Sequence, residues 1–228
     1  MMDSNLKVVK TMLKAMSFTD KDQLPDYRRV ISKFNKNGLH QAVWAHRGDI
    51  VTDALAADKN VVVLHISRRG LWQFEAVMDK TNNKLYIMIS QDNLDQRRKE
   101  YQLERTSTHY VYSLLHLNGD QDTSEQLELL DKADDEEQRI KDCVRMLGEF
   151  ADQVDEVIIE SVTYVSGIAV KANLNLFDSQ YNLIESQNIS NMLLDNNNIT
   201  EENSLGDGKP DNSEQNKPLV KLRKIKKE

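Results

Sequence analysis

Three apolar runs separated by two short turn sequences constrain this chain more than any other feature. Residues 60–67, 71–78 and 84–89 are rich in β-branched and aromatic side chains. The breaks between them are Arg68-Arg69-Gly70 and Asp79-Lys80-Thr81-Asn82-Asn83. Glycine, asparagine and aspartate sit where the chain must reverse, so the pattern predicts an antiparallel three-stranded meander. Two further runs, 156–165 and 168–176, are joined by Ser166-Gly167, which is hairpin chemistry, and 177–189 adds a short strand or edge segment.

Helical spacing fills the intervals. Leu6, Val9, Leu13 and Met16 predict a helix ending near Ser17. A second is expected over 27–34, stopped by Asn37-Gly38, and a third over 39–57, with Val43, Ile50, Ala54 and Leu55 inward. Gly48 weakens that third helix or lets it pack closely on the sheet. A fourth, capped by Asn93 or Asp92, is expected over 94–117. A fifth covers 124–150 and turns Ile140, Cys143, Val144, Leu147 and Phe150 inward. The grouping of helices, strands, helices and strands argues for an α+β fold: a largely antiparallel sheet of five to six strands covered by helices, with a disordered C-terminal tail.

Charge divides the chain. The formal net charge is −7 over 228 residues. Residues 195–216 hold six acidic side chains and one lysine, whereas 217–228 hold six basic and one acidic, so these two stretches cancel. The expected organisation is a single α+β domain over 1–190, an acidic disordered linker over 191–216 and a basic C-terminal peptide over 217–228. An acidic body disfavours non-specific nucleic-acid binding, which depends on cations displacing counterions from phosphates. No leader-like start and no run of ~18 apolar residues is present, so a cytoplasmic protein without a membrane span is expected. One cysteine, Cys143, excludes an intramolecular disulfide; its apolar helical neighbours predict an inert core thiol.

Three constellations carry possible chemistry. At the first hairpin tip, Arg68 and Arg69 lie beside Trp72, where guanidinium groups clamp anions and an indole stacks; a charged turn with a core tryptophan is the plainer reading. On one continuous 94–117 helix, Arg98, Arg105, His109 and His116 would align within about 40°, a stripe suited to phosphate binding and proton transfer, or merely solvated. Glu75 and Asp79 share a strand face near Lys84, a weak magnesium-site pattern. The tail's Lys221, Arg223, Lys224, Lys226 and Lys227 alternate in part with apolar residues, as in a partner-binding strand or a solubilising end. No phosphate-binding glycine loop, Gly-x-Ser-x-Gly elbow or Cys-x-x-Cys pair occurs, so no cofactor or metal is expected.

Residues Arg69-Gly70-Leu71-Trp72-Gln73-Phe74, Lys84-Leu85-Tyr86-Ile87-Met88, and the stretch from His109-Tyr110-Val111 to Leu117-Asn118 resemble an uncharacterised family. Its members are small proteins of low-GC Gram-positive bacteria and their mobile elements. The resemblance covers 1–190 and implies a cytoplasmic context linked to phage or plasmid biology, with no transferable activity. The preferred expectation is a non-enzymatic interaction or regulatory protein that binds another protein through Arg68, Arg69, Trp72 and the basic peptide. The alternative is a nucleic-acid-directed, ribonuclease-like toxin: Arg98 and Arg105 bind phosphate, and His109 and His116 exchange protons.

Overall fold

The computed structural model describes residues 3–68, 72–119 and 131–193. Its element order is α1 (Leu6–Ser17), α2 (Asp20–Val30), α3 (Leu39–Leu55), β1 (Val61–Arg68), β2 (Trp72–Asp79), β3 (Lys84–Ser90), α4 (Gln91–Glu104), α5 (Tyr110–Leu115), α6 (Asp131–Leu147), β4 (Glu156–Val165), β5 (Ile168–Phe177) and β6 (Leu183–Asn188). The six strands form one sheet in sequence order. Every neighbouring pair is antiparallel except β3 and β4, which run parallel in a register from Lys84↔Glu156 to Ser90↔Val162. Both meanders therefore share a β layer, as the sequence predicts. Ser166 (φ 51°) and Gly167 (φ 72°) turn β4 into β5 with the two positive φ values of a type I′ hairpin.

Helices cover both faces. Alternation along the strands sends Val77, Tyr86, Met88, Ile158, Val162 and Leu174 towards α1 and α3. The opposite set, including Phe74, Met78, Ile87, Ile159 and Phe177, packs with α4, α5 and α6. Asn5 caps α1 through its side chain, and Val8, Val9, Met12, Leu13 and Met16 are sealed from solvent. Burial of each such side chain contributes roughly 1.5–3 kcal/mol before entropy is counted.

Four expectations need correction. The second helix begins at Asp20, not near Tyr27, because a reciprocal Thr19–Asp22 capping box nucleates it; Gly38, at φ 88°, caps the start of α3 and does not end α2. The continuous 94–117 helix does not exist. Ser90 caps α4, Arg105 ends it in the left-handed region at φ 58°, and His109 starts the separate α5. In α6 the inward residues are Arg139, Cys143 and Leu147, whereas Ile140 and Val144 are exposed. In α3, Arg47 takes an inward position beside Val43, Val51 and Leu55, whereas Ala54 faces solvent. Residues 124–130 of the expected fifth helix, Arg69, the expected linker from residue 194 on and the basic tail lie outside the described residues. Among the described residues no helix is long and apolar enough to cross a membrane.

Candidate functional site

α3 lies on one face of the sheet, and α4 and α5 lie on the other. At the end where β3 and β4 finish and β2 begins, these layers part around a cavity of about 600 Å³. Ile89 and Ser90 from β3, Tyr164 from β4 and Trp72 from β2 form its floor. His40, Val43, Trp44 and Arg47 come from α3, Asp92 and Asn93 from α4, Thr19 and Asp20 from the start of α2, and His109 and Tyr110 from the start of α5. Crevices beyond the carboxyl ends of parallel strands are a recurrent place for ligands.

Aromatic rings dominate the wall. Trp72 contacts Trp44 edge-on at 6.4 Å, stacks on Phe74 at 5.4 Å and leans on Tyr110 at 5.3 Å. Trp44 and Trp72 are the chain's two tryptophans, and both line this cavity. The Trp44 indole N–H donates to His40 Nε2 at 3.0 Å, which fixes that ring's edge. His109 stacks beside Tyr110, and its Nδ1 accepts from the Val111 backbone N–H at 3.3 Å.

The sign of the cavity's electrostatics depends on which charges are already engaged. Three helix N-termini and Arg47 face this region, and each would favour an anion. Each already has an internal partner. Thr19 with Asp22, Ser90 and His109 cap the helices. Arg47 donates from Nε to Phe18 O and from Nη2 to Met16 O, Phe18 O and the Tyr164 hydroxyl, and burial pulls its pKa down from the ordinary value. Burial also pushes the Tyr164 hydroxyl up to about 12, so it stays a neutral donor, to Met16 O. By contrast, the exposed carboxylates of Asp20 and Asp92 accept no hydrogen bond and form no ion pair among the described residues. Arg47 also lies over the Trp44 ring at 4.9 Å and over the Tyr164 ring at 5.6 Å, so the cavity already holds one guanidinium against its aromatic wall, with two exposed carboxylates at the rim.

The sequence-derived sites separate. Trp72 and His109, from different constellations, meet in the cavity. Arg68 pairs opposite Trp72 in the β1–β2 register. Arg98 lies over the Phe177 ring at 5.0 Å, His116 pairs with Glu136 of α6, and Arg105 occupies the exposed end of α4; none of the three lines the cavity. The Glu75, Asp79 and Lys84 set is structural. Asp79 accepts from Asn5 and Thr81, and Lys84 pairs with Glu156 at 3.0 Å. The Glu75 carboxyl fills the space that a Cβ at Gly48 would need, so this glycine does allow α3 to sit close on β2. Cys143 is buried, and burial pushes its thiol up to about 11. Among the described residues no group of three or more histidine, cysteine or acidic side chains is placed to hold a metal ion.

The cavity draws on helices α2 to α5 and strands β2 to β4, so no local motif announces it. The one signal in the sequence is that its two tryptophans belong to elements that must pack together.

Comparison with known families matches the chain to the family of unknown function DUF5986, over residues 2–228. The chain belongs to this family. The match runs past residue 190 to the C-terminus, so the basic peptide that the resemblance left outside lies within the matched region. No curated protein and no solved structure matches the chain.

Proposed function

We propose that this DUF5986 protein is a non-enzymatic regulatory protein that holds a partner protein by drawing one of its arginine side chains into the aromatic cavity. The observation that carries this reading is the gathering of Trp44, Trp72, Tyr110 and Tyr164 in one wall with the exposed carboxylates of Asp20 and Asp92, a wall on which the chain's own Arg47 already packs against Trp44 and Tyr164. A guanidinium is flat enough to stack on indole and forks towards carboxylate, so one group satisfies both parts of the wall. Ammonium fits the charge but not the stacking. A phosphate would meet two carboxylates where the cationic groups are already bonded elsewhere. A phage- or plasmid-related bacterial setting is part of this proposal, and the genes beside this one test it.

Because both tryptophans line the cavity, tryptophan emission excited away from the tyrosine band reports on it. A short arginine peptide is expected to change the emission saturably, and the peptide with citrulline, which keeps the shape and loses the charge, is expected to bind at least about tenfold more weakly. Asp92→Asn should weaken the arginine peptide to a similar degree. Equal binding of arginine and citrulline would refute the guanidinium assignment. Single-stranded RNA should stay intact with the purified protein; cleavage that disappears in His109→Ala, with the fold retained, would replace this reading by the ribonuclease-like one.

A further inference from the structure

We infer that the first occupant of this cavity is the chain's own basic peptide, residues 217–228, with Arg223 as the inserted side chain. The inference rests on the guanidinium reading and adds a regulatory step: an external arginine must displace an internal one.

Three observations converge. The described chain ends at Leu193, which lines a small hollow with Lys21, Asp22 and Gly167, and Gly167 also lines the aromatic cavity. The last described residue therefore lies close to the cavity. The 23 residues from 194 to 216 have a contour length of roughly 75 Å, so reach sets no obstacle. Charge is complementary: six of the last twelve residues are basic, and Arg223 is the one arginine among them, while the cavity offers Asp20 and Asp92. The family match also extends through this peptide. Tethering raises the peptide's effective concentration at the site to the millimolar range for suitable linkers, so even a weak contact would be occupied much of the time.

The competing arrangement pairs the basic peptide with the acidic 195–216 stretch, and the test separates the two. The full chain and a full-length variant carrying Lys221→Glu, Arg223→Glu and Lys224→Glu are titrated with a synthetic peptide of residues 217–228, followed by tryptophan emission. The variant is expected to bind the added peptide at least about tenfold more tightly than the natural chain, and Trp72→Ala in the variant should abolish this gain. Equal, saturable binding to both chains would overturn self-occupancy while leaving the cavity reading intact. Binding to neither would overturn both. A gain measured by calorimetry that survives Trp72→Ala would assign the peptide to the acidic stretch and overturn the inference.

Discussion

Arg139→Met is expected to destabilise the fold by about 3 kcal/mol. Arg139 is 5% exposed and sits where a leucine would be expected in α6. Its guanidinium lies over the Tyr112 ring at 3.8 Å. Nε and Nη2 donate to Tyr112 O at 3.3 and 3.0 Å, and Nη2 also donates to Ser179 O at 2.8 Å. One side chain thus ties α6 to α5 and to the turn after β5. The Glu136 pair at 2.8 Å adds little, because that carboxylate is 42% exposed and screened by solvent. The carbonyls decide the magnitude: removing the arginine takes away the buried donor that Tyr112 O and Ser179 O share, and a lost buried hydrogen bond from a charged donor costs about 1.5–3 kcal/mol. Arg139→Lys retains the charge without the planar fork and should lose about 2 kcal/mol. Urea unfolding checks this: the midpoint should fall with the slope unchanged. A loss of under about 0.5 kcal/mol in Arg139→Met would show that these bonds do not hold α6 in place.

Glu160→Leu is expected to act in the opposite direction, stabilising the protein by about 1–3 kcal/mol above pH 7. Glu160 lies in the middle of β4, opposite Met88 of β3 and Leu174 of β5, and is completely buried on the face covered by α1 and α3. Neither carboxyl oxygen has a hydrogen-bond partner among the described residues, and burial drives its pKa well above the ordinary 4.5. The folded chain therefore holds a proton that the unfolded chain releases. Stability from this group is fully present below the ordinary carboxyl pKa and is lost as pH rises from there through the folded value. Glu75, also raised chiefly by burial, contributes a slope of the same sign, so the difference between the natural chain and the Glu160→Leu variant isolates this one carboxyl. The gain from Glu160→Leu should grow between pH 4 and 8 in thermal or urea unfolding. A gain independent of pH would mean that the carboxyl titrates normally.

Strands and turns are legible in the sequence because each rests on local chemistry: alternation in 61–89, the Ser166-Gly167 turn, the apolar stripe of α1. The elements that sequence reasoning misplaces share a physical reason. Arg47 and Arg139 occupy core positions of their helices, at i+4 from Val43 and i−4 from Cys143. A charged residue reads as solvent-facing unless its acceptors are known, and here the acceptors are backbone carbonyls of distant segments. The break between α4 and α5 hinges on Arg105 adopting a left-handed conformation, which nothing in its residue type demands. The parallel β3–β4 pair depends on the crossover through α4 to α6, a tertiary choice that strand patterning does not encode. Trp72 stands out in the sequence through its setting, but its partners do not, because Trp44, Tyr110 and Tyr164 come from separate elements.

On the proposed reading, a guanidinium binds between α3 and the start of α4 against both indoles. With uniformly ¹⁵N-labelled protein, the two indole N–H signals can be followed while the arginine peptide is added. Both are expected to shift along one saturable curve whose affinity matches calorimetry, and the citrulline peptide should leave them in place. Calorimetric binding of the arginine peptide with both indole signals unmoved would place recognition elsewhere and contradict the claim.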